Sequence, residues 1–202
     1  MLARKITERN AETGEHYIAR NSNDFNYLFN KALGGGFLTA FTVWFKFLIA
    51  TMQLTGFGYG VLASLNYCIG FLGIQALGFT LATKQPATTA PVLADKMQNI
   101  DDKNGLNSLC DEIIHLVRSQ TIAVMGNILA VVPTIAVMWA VLLFCFNVQI
   151  ADKESAVKNI SSFSIFGMTP FYAAFTGVLL FSSSIVAGWF DNWFAYHQLE
   201  PA

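Results

Sequence analysis

Charge is what this chain has least of. Between residues 36 and 83 the only formally charged side chain is Lys46, and residues 119–151 and 159–190 carry no Asp, Glu, Lys or Arg. Only 12% of all residues are charged, against about 25% in ordinary globular domains. A water-soluble core of this size needs no apolar runs of such length, so a soluble single-domain protein is excluded. A spanning helix takes roughly 20 mostly apolar residues. The runs predict four spans, at 36–54, 58–82, 121–147 and 166–190.

Other scarcities narrow the chemistry. There are four arginines, Arg4, Arg9, Arg20 and Arg118, too few and too scattered for a phosphate clamp. Twelve basic residues against thirteen acidic ones give a net charge of −1, without the clustered basic surface that nucleic acid requires. Three cysteines form no CxxC step and no pairing frame. Three histidines leave Glu112 and His115 as a single Glu-x-x-His step, half of a di-iron pattern whose other half is missing. Gly34-Gly35-Gly36 lacks the strand before it and the Lys-Ser/Thr after it that a phosphate loop needs. Residues 1–15 are polar and resemble no cleavable signal. No metal and no cofactor is expected.

What is abundant is apolar bulk: 54% hydrophobic residues, with 18 Phe and 4 Trp. In lipid every backbone polar group must pair within its own segment or a closed barrel. Residues 137–144 do not alternate as a barrel strand would. The expected fold is all-α, a polytopic transmembrane bundle of about four spans with short amphipathic interfacial helices. The segments are a lead-in (1–35), a hairpin of two spans (36–83), and a cytoplasmic loop (84–118) with an amphipathic helix at 106–118. Two further spans follow (119–190), joined by an external loop (148–165), and an aromatic interfacial tail closes the chain (191–202).

Within this plan Asn21 to Asp24 should cap a short helix at 24–33, and the three glycines should separate it from the first span. In the helix at 106–118, Leu106, Leu109, Cys110, Ile113, Ile114 and Val117 form one stripe expected to pack on the bundle. Glu112, His115 and Arg118 should then face solvent. Small residues at four-residue spacing, Gly56/Gly60/Ser64, Ala173/Gly177 and Ser184/Gly188, predict close helix contacts. Pro133 and Pro170 should kink or start their helices. The Lys/Arg bias places the N-terminus, the 84–118 loop and the C-terminus on the cytoplasmic side.

Lys46 is the sharpest single candidate. Ionisable residues at membrane depth are costly and often functional, but a long lysine can also snorkel to an interface. Gln53, Asn66, Gln75 and Asn127 are the other polar groups at depth, suited to a solute path or to hydrogen bonds between helices. Trp189, Phe190, Trp193, Phe194 and Tyr196 form an aromatic belt.

Six stretches carry a family resemblance. They are Gly14-Glu15-His16-Tyr17-Ile18-Ala19-Arg20-Asn21; Gly34-Gly35-Gly36 with Leu38-Thr39-Ala40-Phe41; Leu62-Ala63-Ser64-Leu65-Asn66-Tyr67; and residues 78–87, ending Thr83-Lys84-Gln85-Pro86-Ala87. Arg118-Ser119-Gln120 with Gly126-Asn127, and residues 175–189 with Asn192-Trp193, complete the set. In this order they resemble the multi-pass bacterial membrane family called site-specific recombinases. The resemblance implies an inner-membrane location and singles out Glu15, His16, Arg20, Lys84, Gln85, Pro86, Arg118, Asn127, Trp189 and Asn192. It also implies that these residues are the central membrane part of a longer protein, whose remaining domains and lipid are its partners. Nucleic acid is not expected to bind this segment, and a homo-oligomer is left open. Three functions follow as expectations: a structural or assembly component, a transporter or channel module, and recombination carried by regions outside this chain.

Overall fold

Asn21 and Asp24 open the first helix by a reciprocal cap. The Asn21 side chain accepts from the Asp24 N–H at 2.9 Å, and the Asp24 carboxylate accepts from the Asn21 N–H at 3.3 Å. In the computed structural model, which describes residues 15, 17–52, 54–84, 89, 92–94, 96, 97, 103–147, 156, 157, 160, 161 and 164–197, four long helices follow one another. They are α1 (Ser22–Thr51), α2 (Gly56–Ala76), α3 (Lys103–Phe146) and α4 (Thr169–Tyr196), with a 3₁₀ turn at Ala82–Lys84. All four are long and apolar enough to cross a membrane, and no strand occurs among the described residues.

The chain divides into two units. One comprises Tyr17–Pro86 and Cys110–Ile150; the other comprises Met1–His16, Ala87–Leu109 and Ala151–Ala202. In the first unit α1 and α3 run parallel, since Ala19 meets Ser119 and Gly36 meets Asn127 and Ala130. Helix α2 returns antiparallel, bringing Asn66 and Gly70 to Thr42 and Phe79 to Gly34. Helix α2 opens on Thr55, which caps the Gly58 N–H at 3.2 Å. It ends where Gly78 takes φ +63°, with Gly78 N–H bonded to the Gln75 carbonyl and Phe79 N–H to that of Ile74. The chain therefore leaves helical geometry at Leu77, earlier than the expected end at residue 82. Asn147, at φ 52°, closes α3 in the same left-handed way.

Three expectations are corrected here. Gly34, Gly35 and Gly36 do not break the helix: α1 is continuous from Ser22 to Thr51. The glycines are needed for approach instead. A Cβ on Gly35 would overlap the Thr80 carbonyl oxygen, and one on Gly36 would overlap the Asn127 backbone. Second, the apolar stripe of α3 points outward, with Leu106, Ile113, Ile114 and Val117 all exposed. Buried instead are Glu112, Leu116, Ser119, Ala123, Gly126 and Ala130, alternating by four and three residues, the period that keeps one seam against a neighbour. Third, a Cβ added at Gly56 or Gly60 would meet nothing within 4 Å among the described residues. The close contacts lie at Gly34, Gly35, Gly36, Gly70 and Gly126. Pro133 lies inside α3, and Pro170 is the second residue of α4, where proline suits a helix start.

Helix α4, in the second unit, presents an almost wholly exposed apolar surface. Its C-terminal turns carry a ring ladder: Trp189 on Phe190 (centroids 5.0 Å), Trp193 on Phe194 (5.5 Å) and Trp193 on His197 (4.7 Å).

Candidate functional site

Polar side chains in the first unit concentrate on the α1–α3 seam and on the loop that follows α2. Asn127 stands at their centre. Its Nδ2 donates to the Ala32 carbonyl at 2.6 Å and to the Thr80 carbonyl at 3.1 Å, and its Oδ1 accepts from the Ala82 N–H at 2.8 Å. Thr80 and Ala82 need this because residues 79–81 have left helix α2 and have no ladder of their own. One amide thus joins α1, α3 and the segment after α2.

A second fastening lies nearer the start of α1. Ser119 Oγ accepts from the Ala19 N–H at 2.8 Å and donates to the His115 carbonyl at 2.7 Å. Arg20 Nη2 meets Glu112 Oε1 at 2.7 Å, with the Arg20 side chain 40% exposed and Glu112 only 3%. The Arg118 guanidinium lies over the Phe25 ring at 4.1 Å. Glu112 is therefore a buried ion-pair partner, not a member of a solvated face. The Glu-x-x-His step did mark it, but its burial goes with the distant Arg20. The ring nitrogen Nδ1 of His115 and Nε1 of Trp44 are buried without a hydrogen-bond partner in the described residues.

Removing Arg20 leaves a carboxylate in a poorly hydrated place. Breaking a buried pair costs about 3–5 kcal/mol, and partial exposure of the arginine screens that, so Arg20→Ala is expected to lose about 2 kcal/mol. The double variant Arg20→Ala/Glu112→Leu should recover part of it, as followed by denaturant unfolding in detergent. A double variant weaker than Arg20→Ala would refute the pairing argument.

The sequence candidates distribute unevenly. Arg20, Arg118 and Asn127 come together along the α1–α3 seam, with Ser119, which the sequence marked only as part of a family stretch. Lys84 lies in the 3₁₀ turn two residues after Ala82. Glu15, half-buried, and Trp189, exposed on α4, belong to the other unit. His16, Gln53, Gln85 and Pro86, and the side chains of Lys84 and Asn192, lie outside the described residues. Asn66 donates to the Thr42 carbonyl at 2.8 Å, a bond between helices α1 and α2, whereas Gln75 is exposed. Lys46 is half-buried and lies five residues before the end of α1, about 7.5 Å along the axis. That is within reach of an interface for a lysine side chain. A groove of about 220 Å³ between α1 and α2, lined by Leu38, Phe41, Thr42, Phe45, Asn66 and Ile69, is apolar apart from Thr42 and Asn66. Among the described residues no group of three His, Cys, Asp or Glu could hold a metal.

Fold and site together define a helical protein with four membrane-length helices, whose inner polar groups tie backbone to backbone. The chain belongs to the site-specific recombinase family, whose family model matches residues 1–202. No curated protein and no solved structure matches it.

Proposed function

We propose that this chain is a structural, membrane-embedded component of its family's protein, seated in the bacterial inner membrane with the start of α1 on the cytoplasmic side. The observation that supports this most directly is the use of Asn127. An amide that lined a solute path would keep donors for the solute; this one has both donors and its acceptor engaged by Ala32, Thr80 and Ala82. Asn66 and Ser119 bond backbone in the same manner. Arg20 and Arg118 are held by Glu112 and Phe25, which speaks against a pair of arginines waiting for a phosphodiester. The orientation rests on the parallel run of α1 and α3. It puts Arg20, Lys31 and Arg118 at one end of the unit, the end that the positive-inside rule assigns to the cytoplasm.

The test is made on the full-length protein. In proteoliposomes it should pass ions and small solutes no faster than empty vesicles, and at physiological salt it should not retain DNA. In cells, Asn127→Leu should behave as a deletion of the protein does, and Lys46→Leu as the unmutated protein does. Solute flux abolished by Lys46→Leu would replace this reading by a transporter or channel. Rearrangement of a DNA substrate would restore recombination as the activity.

A further inference from the structure

Lys31 occupies a place that neither the fold's fastenings nor the family accounts for. It is half-buried on α1, with its Nζ 5.5 Å from the centroid of the Tyr27 ring and 5.8 Å from that of Phe79. The pocket is built by glycines. Phe79 lies against the bare backbone of Gly34, where a Cβ would come within 2.5 Å of the ring. Gly78, held at φ +63°, turns the chain past the lysine, and a Cβ there would lie 3.6 Å from Nζ. The Thr80 N–H, bonded to the Lys31 carbonyl at 3.1 Å, fixes the loop to α1 at this residue. The ammonium thus has a rigid, aromatic-walled seat, and among the described residues it meets ring faces and no carboxylate. Ring faces take none of the three N–H donors in a directed bond to oxygen.

The depth of the seat is set by the helix. Lys31 and Lys46 are the first and last lysines of α1, and the step of 15 residues from one to the other spans about 22 Å of axis. With both side chains reaching outward, that separation matches a hydrocarbon core of about 30 Å. Lys31 therefore lies at headgroup level, where exposed Tyr27 also belongs.

We propose that Lys31, walled by Tyr27 and Phe79 and admitted by Gly34 and Gly78, binds the phosphate of one anionic phospholipid in the leaflet at the end of the bundle where α1 begins. Charge complementarity selects the occupant: an ammonium that meets no carboxylate among the described residues, at the level of phosphates, between rings that border the upper acyl chain. The site rests on the bundle lying in a bilayer. It does not depend on whether the bundle conducts, so a positive flux assay would leave it standing.

The experiment is native mass spectrometry of the full chain released from micelles with either phosphatidylglycerol or phosphatidylcholine, with bound lipid counted. The unmutated chain should retain one phosphatidylglycerol above the phosphatidylcholine level and lose that preference in high salt. Lys31→Gln should weaken retention about fivefold, the factor one basic residue contributes at a lipid surface, while Lys31→Arg keeps it and Lys46→Gln leaves it unchanged. Equal retention of both lipids by the unmutated chain would overturn the proposal whatever the variants do. So would full retention by Lys31→Gln. Displacement of the lipid by millimolar inorganic phosphate would show a free-anion site and overturn it too.

Discussion

Asn127→Leu should destabilise the first unit by about 3 kcal/mol, the largest loss expected from any single polar side chain here. Leucine keeps the branched outline of the asparagine side chain but is bulkier, so the loss combines the missing hydrogen bonds with crowding of the main chain around them. Three are lost at once: to the Ala32 and Thr80 carbonyls and from the Ala82 N–H. Measured bonds between helices in membranes average only about 0.6 kcal/mol, because the separated helices find other partners. Thr80 and Ala82 have no such recourse, since both lie outside the helix that would supply partners. An orphaned buried backbone group costs about 1–3 kcal/mol. Asn66→Leu removes one bond, to a carbonyl already inside helix α1, and should lose about 1 kcal/mol or less. Denaturant unfolding of both variants in the same detergent reads the contrast. Equal losses would mean that Asn127 is not the centre of the fold.

Gly35→Ala and Gly36→Ala should be worse than their size suggests. In an exposed helix, exchanging glycine for alanine stabilises by about 1 kcal/mol. At these two positions the new methyl group would run into the Thr80 carbonyl and the Asn127 main chain. Neither obstacle can rotate away, so the loop after α2 or all of α3 must retreat, and the Asn127 bonds go with it. A loss of about 3 kcal/mol or outright failure to assemble is expected. Gly60→Ala and Gly188→Ala, with open space around them, should be neutral or slightly stabilising. Parallel expression, gel filtration and unfolding of the four variants decide it. Should Gly35→Ala behave like Gly60→Ala, α1 does not approach the 79–82 segment as described.

The helices were legible in the sequence and their seams were not. Charge-free runs located all four, because lipid imposes one simple demand on composition. The reading of α3 failed on its faces. Its apolar stripe was expected inside, but Ile113, Ile114 and Val117 are exposed. The face that packs on α1 is the small and polar one: Glu112, Ser119, Ala123, Gly126. Glycines were misjudged for a related reason. Propensity makes Gly34-Gly35-Gly36 a break, yet a helix held by neighbours keeps them where only hydrogen fits. The partners themselves stayed hidden. Arg20 finds Glu112 at a sequence separation of 92, and Ala19 finds Ser119 at 100. No local pattern encodes a pairing across such distances.

Those separations also impose an order on biogenesis. Thr80 and Ala82 leave the ribosome before Asn127 exists. At about 5–20 residues per second, the 45 residues between Ala82 and Asn127 take about 2–9 s to synthesise. For that interval a newly inserted α1–α2 hairpin has Gly35 and Gly36 bare and two main-chain polar groups waiting for the amide. In the membrane setting proposed above, something other than the finished bundle has to cover them until α3 arrives.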